Sequence, residues 1–342
     1  MCISRGSGDN RMSSEKATVC LCTYNGGLYL KELLDSLARQ THLPSALLVG
    51  DDGSSDDTLQ IVREFAANAS FPVKVLSNSR RLGPAGNLEL LLSEATGSVL
   101  FPCDQDDVWE PTKIEVLAKA LTDSPGFDGA ICNSSLIDAR GRVLPGSLFE
   151  KVGLDMSIRQ LMESGNAMVQ IAGRNVVASH ALALRRRALD IVLPFGPLRH
   201  ADWWIALVLG ATTGITVVDD CLVAYRLHDT NAAGLREDLR VAERASAATA
   251  ARFSSHADML EAAIARVDLV RAGRLAPRDR AVLEERVSHL RTRESLPPKR
   301  SRRVSTVLRE VIKGRYAEFG NGWRSVLVDL VREAPATDHE FE

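Results

Sequence analysis

The sequence contains no apolar run long enough to cross a lipid bilayer. A membrane-spanning helix needs about 20 consecutive, mostly apolar residues, and no segment of this chain offers them. Residues 1–16 are polar and lack the apolar core of a secretory signal peptide. We therefore expect a disordered N-terminal tail over residues 1–16 and a cytoplasmic protein.

The sequence also lacks paired cysteines and an excess of basic charge. Its six cysteines are scattered through the chain, without the spacing of a zinc site or a disulfide framework. This pattern predicts buried thiols in a reducing compartment. Forty-two Lys and Arg residues stand against 44 Asp and Glu residues, which leaves a net charge of −2. That balance does not predict nucleic-acid binding.

The dinucleotide-binding fingerprint is absent as well. The first predicted strand is followed by Gly26-Gly27 and not by G-x-G-x-x-G, so a nicotinamide dehydrogenase is a weak interpretation. The remaining composition, 45% hydrophobic and 25% charged, is that of an ordinary globular protein. With 342 residues the chain is long enough for two domains, or for one large domain with an appendage.

Short β-like segments alternate with segments of helical periodicity in the first part of the chain. This alternation predicts an α/β domain with a parallel sheet flanked by helices. The predicted strands cover residues 17–22, 46–50, 73–76 and 99–101, and the predicted helices cover residues 28–40, 58–67, 85–93 and 111–121.

The middle and the end of the chain follow different patterns. Residues 131–137 and 142–144 predict a hairpin, residues 176–184 and 216–225 predict strands, and a helix is expected to begin near Asp202. From about residue 235 the chain is rich in Arg, Ala and Leu, and predicts an all-helical region interrupted at residues 295–298.

Polar turns follow each of the first four predicted strands. They are Thr23-Tyr24-Asn25-Gly26, Asp51-Asp52-Gly53-Ser54, residues 78–87 and Asp104-Gln105-Asp106-Asp107. Because ligands of open α/β sheets bind outside the carboxyl ends of the strands, these turns are expected to meet in one crevice. Crowded carboxylates repel one another unless a cation or donor groups compensate them. The turns therefore predict a divalent metal and a phosphate-bearing ligand.

The ordered set of motifs resembles family 2 glycosyltransferases, which share the GT-A fold. The resemblance covers about residues 17–234 and is carried by the turns above together with Leu82-Gly83-Pro84-Ala85-Gly86-Asn87. Asp104-Gln105-Asp106-Asp107-Val108-Trp109, His200-Ala201-Asp202-Trp203-Trp204 and Tyr225-Arg226-Leu227-His228 are most similar to the bacterial rhamnosyltransferase branch. The resemblance implies a GT-A domain over residues 17–234, and the residue pattern described above predicts a separate helical region over residues 235–342.

The resemblance also implies roles for individual residues. Asp104 and Asp106 occupy the D-x-D positions that hold Mg²⁺ or Mn²⁺, and His228 is a third candidate ligand. Asp202 would be the general base that deprotonates the acceptor. The donor nucleotide would contact Thr23, Tyr24, Asn25, Asp51, Asp52, Asn87 and Asp104, and the acceptor would contact Asn175, His180, Trp203 and Trp204.

Plainer interpretations stay open for several of these residues. The Asp51-Asp52 turn could simply precede an N-capped helix, and Asp202 could be the N-cap of its own helix. A lone histidine such as His228 is commonly an ordinary polar residue. Arg226 could contact either a phosphate or a structural carboxylate.

The predicted function is an inverting, metal-dependent transfer of a sugar such as rhamnose from a dTDP- or UDP-sugar. The acceptor would be a cell-surface polysaccharide or a lipid-linked glycan. A nucleotidyltransferase and a non-catalytic nucleotide- or glycan-binding module are the alternatives, although the first turn lacks the Arg and Lys of a nucleotidyltransferase loop. A basic cluster at residues 299–303 precedes an amphipathic segment at 304–312, which predicts either a solvated helix or peripheral contact with the inner face of the plasma membrane.

Overall fold

The computed structural model describes residues 16–196, 200–228, 247–270 and 275–331. The chain divides into two compact units. The first, the sheet unit, comprises Met1–Met168, Asn175–Phe195 and Arg199–Ala232, and the second, the helical unit, comprises Val169–Arg174, Gly196–Leu198 and Ala233–Glu342. The predicted tail, apart from Lys16, and the predicted domain boundary at residue 234 lie outside the described residues.

The described part of the sheet unit contains one mixed sheet of nine strands. In space the strands run in the order β3-β2-β1-β4-β8-β6-β9-β5, and β7 pairs with β6. The strands are β1 (Ala17–Thr23), β2 (Ala46–Asp51), β3 (Val73–Ser77), β4 (Val99–Asp104), β5 (Val108–Trp109), β6 (Gly129–Asp138), β7 (Val143–Ser147), β8 (Leu182–Arg185) and β9 (Ile215–Leu227).

The first four strands form the predicted parallel half of this sheet. β1 pairs in parallel with β2 and β4, and β2 pairs in parallel with β3. Their apolar side chains make the core, and Val19, Leu21, Val49 and Phe101 are fully buried. The connecting helices begin and end close to the predicted positions, and are α1 (Leu30–Ala38), α2 (Thr58–Ala66), α3 (Gly83–Glu94) and α4 (Lys113–Asp123).

Three of the four helix starts differ from the prediction by two residues, since α1 begins at Leu30 and not at Leu28, and α3 begins at Gly83 and not at Ala85. Helix α4 begins at Lys113 and not at Pro111, because the Pro111 carbonyl accepts a hydrogen bond from the Thr41 amide and stays outside the helix. The short strand β5, which pairs with β9, was not predicted.

The second half of the sheet is mixed. β8 is antiparallel to both β4 and β6, whereas β6 and β9 are parallel. The predicted hairpin of β6 and β7 is present. The predicted strand over residues 176–184 is wrong for most of its length, since only β8 is extended. The Asn175 side chain accepts the Val177 amide, and Ser179–Ala181 forms a 3₁₀ turn, so these backbone groups bond locally instead of joining a ladder.

Among the described residues between β7 and β9 there are five further α-helices. They are α5 (Leu148–Val152), α6 (Met156–Glu163), α7 (Met168–Ile171), α8 (Leu189–Val192) and α9 (Ala201–Leu209). Helix α9 is the one that was expected near Asp202, and seven of its nine residues are buried.

The helical unit confirms the prediction for the end of the chain. Its described helices are α10 (Ala247–Leu269), α11 (Pro277–Glu294), α12 (Arg300–Ile312), α13 (Arg315–Phe319) and α14 (Trp323–Val331). The predicted interruption separates α11 from α12. Val307, Tyr316 and Val326 form a small apolar core among the last three helices. Among all described residues, none of the helices combines the length and the apolarity that crossing a membrane would require.

Candidate active site

The carboxyl ends of neighbouring strands bring the predicted site residues together. In the β1–β2 ladder Thr23 lies opposite Asp51, and in the β1–β4 ladder Cys22 lies opposite Asp104. The three strands are mostly apolar and are buried along almost their whole length, and each ends in a polar residue at its carboxyl end. The first, second and fourth polar turns therefore meet at one edge of the sheet.

Asp51 organises the turn after β2. Its carboxylate accepts hydrogen bonds from the hydroxyls of Thr23 and Ser54, at 3.0 and 2.5 Å, and from the backbone amides of Gly53 and Ser54, at 3.2 and 3.0 Å. Asn25, which has a positive φ of 48°, joins the same turn through its amide and its side chain. These bonds hold the first two predicted donor turns against each other.

Asp52 connects the same turn to the start of α3. It accepts hydrogen bonds from the Asn78 side chain at 3.0 Å and from the amides of Leu82 and Gly83 at 2.7 and 2.8 Å. Asn87 is buried and donates to the Gly50 carbonyl at 2.6 Å. Asp52 and Asn87 thus fix the turn after β2 and the start of α3, and their predicted contact with a nucleotide stays a prediction.

Gln105 joins its own turn, Asp104-Gln105-Asp106-Asp107, which we call the acidic turn, to the turn that follows β1. Its side-chain oxygen accepts the Tyr24 amide at 2.9 Å and its side-chain nitrogen donates to the Tyr24 carbonyl at 3.0 Å, as a neighbouring strand would do. The ring of Tyr24 is 37% exposed, and the Arg81 guanidinium lies 3.8 Å from its centroid. The motifs predicted no role for Gln105 or Arg81, although Gln105 lies within the acidic turn and Arg81 directly precedes Leu82.

The acidic turn presents its carboxylates in two directions. On one side Asp106 Oδ2 lies 2.8 Å from His228 Nε2, and both side chains are largely buried. On the other side Asp104 and Asp107 approach His180, and the ligand atoms of these three residues lie within 4.8 Å of one another. Of the predicted metal ligands Asp104, Asp106 and His228, the structure therefore brings only Asp106 and His228 into contact. The Asp104 side chain, which is 44% exposed, lies toward His180 and Asp107 instead.

Asp107 and His180 form a buried polar pair beneath the acidic turn. Their Oδ2 and Nδ1 atoms are 3.3 Å apart, and Ser134 Oγ is 3.2 Å from the other ring nitrogen. Burial raises the pKa of Asp107 to about 7, and the nearby carboxylates Asp106 and Asp104 add to this effect while His180 opposes it. Burial alone would lower the pKa of His180, but Asp107 and Asp104 raise it above its ordinary value.

A buried lysine completes this layer. Lys113 Nζ donates to the His180 carbonyl at 2.5 Å and lies 3.1 Å from the centroid of the Trp109 ring. Burial lowers the pKa of Lys113 to about 8, and Asp107 and Asp104 are among the groups that oppose the shift. Since His180 is 1% exposed, its position favours support of the acidic turn, and its predicted contact with an acceptor stays a prediction.

Arg226 on β9 fixes the acidic turn from the opposite side. Its backbone amide donates to Asp107 Oδ1 at 2.9 Å, and its guanidinium donates to the Asp106 carbonyl at 2.8 Å and to Glu32 on α1 at 2.5 Å. The same guanidinium lies 4.6 Å from the Tyr29 ring centroid. Of the two interpretations left open for Arg226, the structure shows the contact with a structural carboxylate.

Asp202 lies in the first turn of α9 and is not its N-cap, because His200 occupies the capping position. Its Oδ1 accepts the Trp203 amide at 2.8 Å, and its carboxylate is hydrogen-bonded by the Asn175 side chain. Burial raises the pKa of Asp202, the charge of Asp104 raises it further, and His200 and these hydrogen bonds act against the shift. The predicted base thus lies within the electrostatic reach of the acidic turn.

The two tryptophans that follow Asp202 have different environments. Trp204 is 1% exposed and donates its indole N–H to the Val192 carbonyl at 2.8 Å, so it anchors α9 in the core. Trp203 is only partly buried. Of the pair, Trp203 is therefore the side chain better able to meet an acceptor, and that contact remains a prediction.

The residues of the acidic turn fit a hard divalent cation. Mg²⁺ and Mn²⁺ prefer carboxylate oxygens, and imidazole nitrogen suits the softer transition metals. Asp106 and His228 offer one ligand atom of each kind at close range, and Asp104 keeps an exposed carboxylate nearby. Asp107 Oδ2 is buried and makes no hydrogen bond to the described residues, although His180 Nδ1 lies 3.3 Å from it.

A family model described as glycosyl transferase family 2 matches residues 18–191, just over half of the chain. The chain belongs to glycosyltransferase family 2. The matched segment runs from β1 into α8, so it contains the Asp51-Asp52 turn, the acidic turn and His180. Asp202 and His228 lie beyond it. The family's GT-A fold is the mixed sheet with flanking helices described above.

Individual relatives agree with this family. An uncharacterized glycosyltransferase of Nostoc sp. is 24% identical over 220 residues, which cover 63% of this chain and 66% of that protein. The dTDP-rhamnosyl transferase RfbG of Shigella flexneri is 32% identical over 123 residues, or 35% of this chain and 41% of its own length. The match thus spans less than two thirds of either family 2 relative.

A solved structure supports the fold of the chain. The crystal structure of S. aureus TarS 1-349 in complex with UDP-GlcNAc superimposes with a TM-score of 0.57 at 18% identity, covering 91% of this chain and 90% of that one. At this level of identity the likeness to TarS concerns the fold alone. It is the GT-A fold that the motifs predicted.

Proposed function

We propose that this family 2 member transfers a sugar from a nucleoside diphosphate to a glycan acceptor with inversion at the anomeric carbon. The observation that carries the proposal is the register that brings the polar turns after β1, β2 and β4 to one edge of the sheet. The acidic turn of Asp104 and Asp106 and the carboxylate of Asp202 are close enough for Asp104 to raise the pKa of Asp202. A diphosphate site beside a candidate base is the arrangement that such a transfer needs.

Asp202 supplies the base in this proposal. The acceptor hydroxyl loses its proton to the Asp202 carboxylate while its oxygen attacks the anomeric carbon. The bond from that carbon to the diphosphate oxygen breaks, and its electron pair leaves with the diphosphate. A carboxylate of raised pKa holds the incoming proton better than an exposed aspartate would, which favours proton transfer near neutral pH. Asn175 orients this carboxylate through its side-chain hydrogen bond.

The acidic turn would hold the divalent metal that the donor diphosphate requires. Asp106, with Asp104 and His228, would hold Mg²⁺ or Mn²⁺, and the bound ion would neutralise the charge that develops on the leaving diphosphate. Gln105 and Arg226 keep this turn in place through their bonds to Tyr24, Glu32 and the turn itself. The exposed Tyr24 residue, with Arg81 over its ring, offers the nucleotide a surface beside the acidic turn.

We further propose rhamnose, carried on dTDP or UDP, as the transferred sugar. The motifs around Asp104, Asp202 and His228 support it, and so does the partial match to a dTDP-rhamnosyl transferase. The proposed acceptor is a cell-surface polysaccharide or a lipid-linked glycan at the cytoplasmic face of the plasma membrane. Such acceptors grow by repeated transfers of this kind.

A panel of nucleotide sugars tests the proposal. The purified chain is incubated with each donor and a mixture of glycan acceptors, and release of nucleoside diphosphate is followed with Mn²⁺, with Mg²⁺ and with EDTA. We expect metal-dependent release from one donor class and its loss in Asp106→Asn. Release of pyrophosphate would identify a nucleotidyltransferase instead. Metal-enhanced nucleotide binding without any turnover would identify a binding module.

A further inference from the structure

Two helices of the helical unit each leave a row of large apolar side chains in solvent. The rows have the same spacing, with positions i, i+4 and i+8 that lie within about 80° of one another around a helix. All six side chains are between 52% and 77% exposed, which is unusual for residues of this size. We call them the apolar rows: Val304, Leu308 and Ile312 on α12, and Trp323, Leu327 and Val331 on α14.

The two rows lie on the same side of the unit. Arg303, near the start of α12, donates to the carbonyl of Asp329, near the end of α14, at 3.0 Å, whereas α13 connects the other two ends. The helices therefore run antiparallel. Val311 and Leu330, each one residue before the last member of its row, both pack on the core of Val307, Tyr316 and Val326. Equivalent positions beside the seam of an antiparallel pair project to the same side, so the rows form one surface.

The inward faces of these helices are already satisfied. Glu310 is buried between His289, at 2.7 Å, and Arg315, at 3.1 Å. Asp329 is buried and accepts from Arg293 and from the Tyr316 hydroxyl, each at 2.7 Å. Among the described residues, the core of the unit is thus complete without the apolar rows. Their exposed side chains are available to contact an external partner.

The charges around the rows identify the chemistry of that partner. Between residues 299 and 331 the exposed charged side chains are six basic ones and a single acidic one, Glu318. The other two acids, Glu310 and Asp329, are the buried ones. The exposed basic residues are Lys299, Arg300, Arg302, Arg309, Lys313 and Arg324.

We propose that the apolar rows and their basic rim dock on an anionic lipid bilayer, with α12 and α14 lying in the plane of the surface. Apolar side chains on one face and Lys or Arg beside them are what such interfacial helices need. A second copy of the chain is a poorer occupant, because a symmetric contact would bring the two basic rims together. This inference does not rest on the transfer reaction, since docking needs neither donor nor acceptor.

Vesicle sedimentation with the full chain tests the proposal. Vesicles of phosphatidylcholine alone are compared with vesicles that also contain phosphatidylglycerol, at low and at high salt. We expect binding to the anionic vesicles that weakens as salt rises, because salt screens the basic rim. Trp323 is 74% exposed, whereas Trp109 and Trp204 are buried. The fluorescence emission of Trp323 should therefore shift to the blue when the chain binds vesicles, and Trp323→Phe should remove most of that shift.

Two variants separate the apolar and the charged contributions. Leu308→Ser with Leu327→Ser should weaken binding on the order of 100-fold, because two leucines no longer enter the interface. Arg302→Gln, Arg309→Gln and Lys313→Gln together should weaken it by about the same factor, at roughly 1 kcal/mol for each charge. All five positions are exposed, so the fold should persist and is checked by thermal unfolding.

Val143→Ser is the matched control, because Val143 is 77% exposed but lies on β7 of the sheet unit. It should bind vesicles as the unchanged chain does. Three results would each overturn the proposal: equal binding to neutral vesicles, binding that survives the double serine substitution, or a vesicle-free dimer that this substitution dissociates. Activity on a soluble acceptor should be the same in all of these variants.

Discussion

Replacing Asp202 with asparagine should abolish most of the transfer activity and leave the fold intact. Asparagine has the same shape, and its side-chain oxygen can still accept the Trp203 amide that Asp202 accepts at 2.8 Å. It cannot take a proton from the acceptor. Loss of a positioned base typically lowers the rate by a factor of about 10²–10⁴, which corresponds to about 3–5 kcal/mol of transition-state free energy. We expect this loss in kcat, with the affinity for the donor nucleotide unchanged.

The pH dependence provides a second readout of the same substitution. The base must be ionised, so kcat/KM should rise with pH through the pKa of Asp202, which burial places above the ordinary value of 3.8. Asp202→Asn should remove this acidic limb.

The control for Asp202→Asn is Asp190→Asn. Asp190 is an exposed acidic residue in the first turn of α8, so it matches the position of Asp202 in its helix and has no part in the proposed reaction. Activity and pH profile should stay unchanged in this variant. If Asp202→Asn kept its kcat within about tenfold and retained the acidic limb, the assignment of the base would be wrong.

Three further substitutions test how the acidic turn is supported. Because the pKa of Asp107 is raised, the folded chain binds the Asp107 proton more tightly than the unfolded chain does. In EDTA the free energy of unfolding should therefore fall as the pH rises from about 4 to about 7. Asp107→Asn should flatten that slope, as measured by urea titrations at each pH. Arg226→Met removes the hydrogen bonds to Glu32 and to the Asp106 carbonyl of the acidic turn. It should lower the free energy of unfolding by about 2–4 kcal/mol and abolish metal-dependent activity. An unchanged unfolding midpoint would refute this expectation. Gly26→Ala places a methyl group against the Gln105 side chain, and the resulting shift of the first turn should cost about 1–3 kcal/mol of free energy. Calorimetry should show this cost as weaker nucleotide binding. Gly126→Ala, whose added methyl group meets open space, should leave nucleotide binding unchanged.

The parallel half of the sheet could be predicted because each strand is a short apolar segment that ends in a polar turn. Such local patterns are sufficient to locate β1 to β4 and the helices between them. The apolar pattern gave a wrong prediction at residues 176–184. The Asn175 side chain there accepts a hydrogen bond from the Val177 amide, which keeps that backbone out of the sheet. An apolar composition does not reveal such a side-chain bond.

The candidate site could be predicted only as a set of turns and single residues. The resemblance to family 2 named Asp104, Asp106 and Asp202, but the pairing of Gln105 with the Tyr24 backbone depends on the register between β1 and β4. The burial of His180 beneath the acidic turn likewise depends on how β8 and β9 enter the sheet. These contacts join residues that are distant in sequence, and no periodicity or spacing records them.

The anomeric configuration of the product tests the central claim most directly. With the donor that the nucleotide-sugar panel identifies, the product is formed by the unchanged chain and its anomeric centre is assigned by NMR spectroscopy. In the account, Asp202 deprotonates the acceptor hydroxyl, and the acceptor oxygen attacks the anomeric carbon on the face opposite the diphosphate. This attack predicts that the anomeric configuration of the product is inverted relative to the donor. Retention of configuration would contradict the account, because it would require a different arrangement of nucleophile and leaving group around the acidic turn.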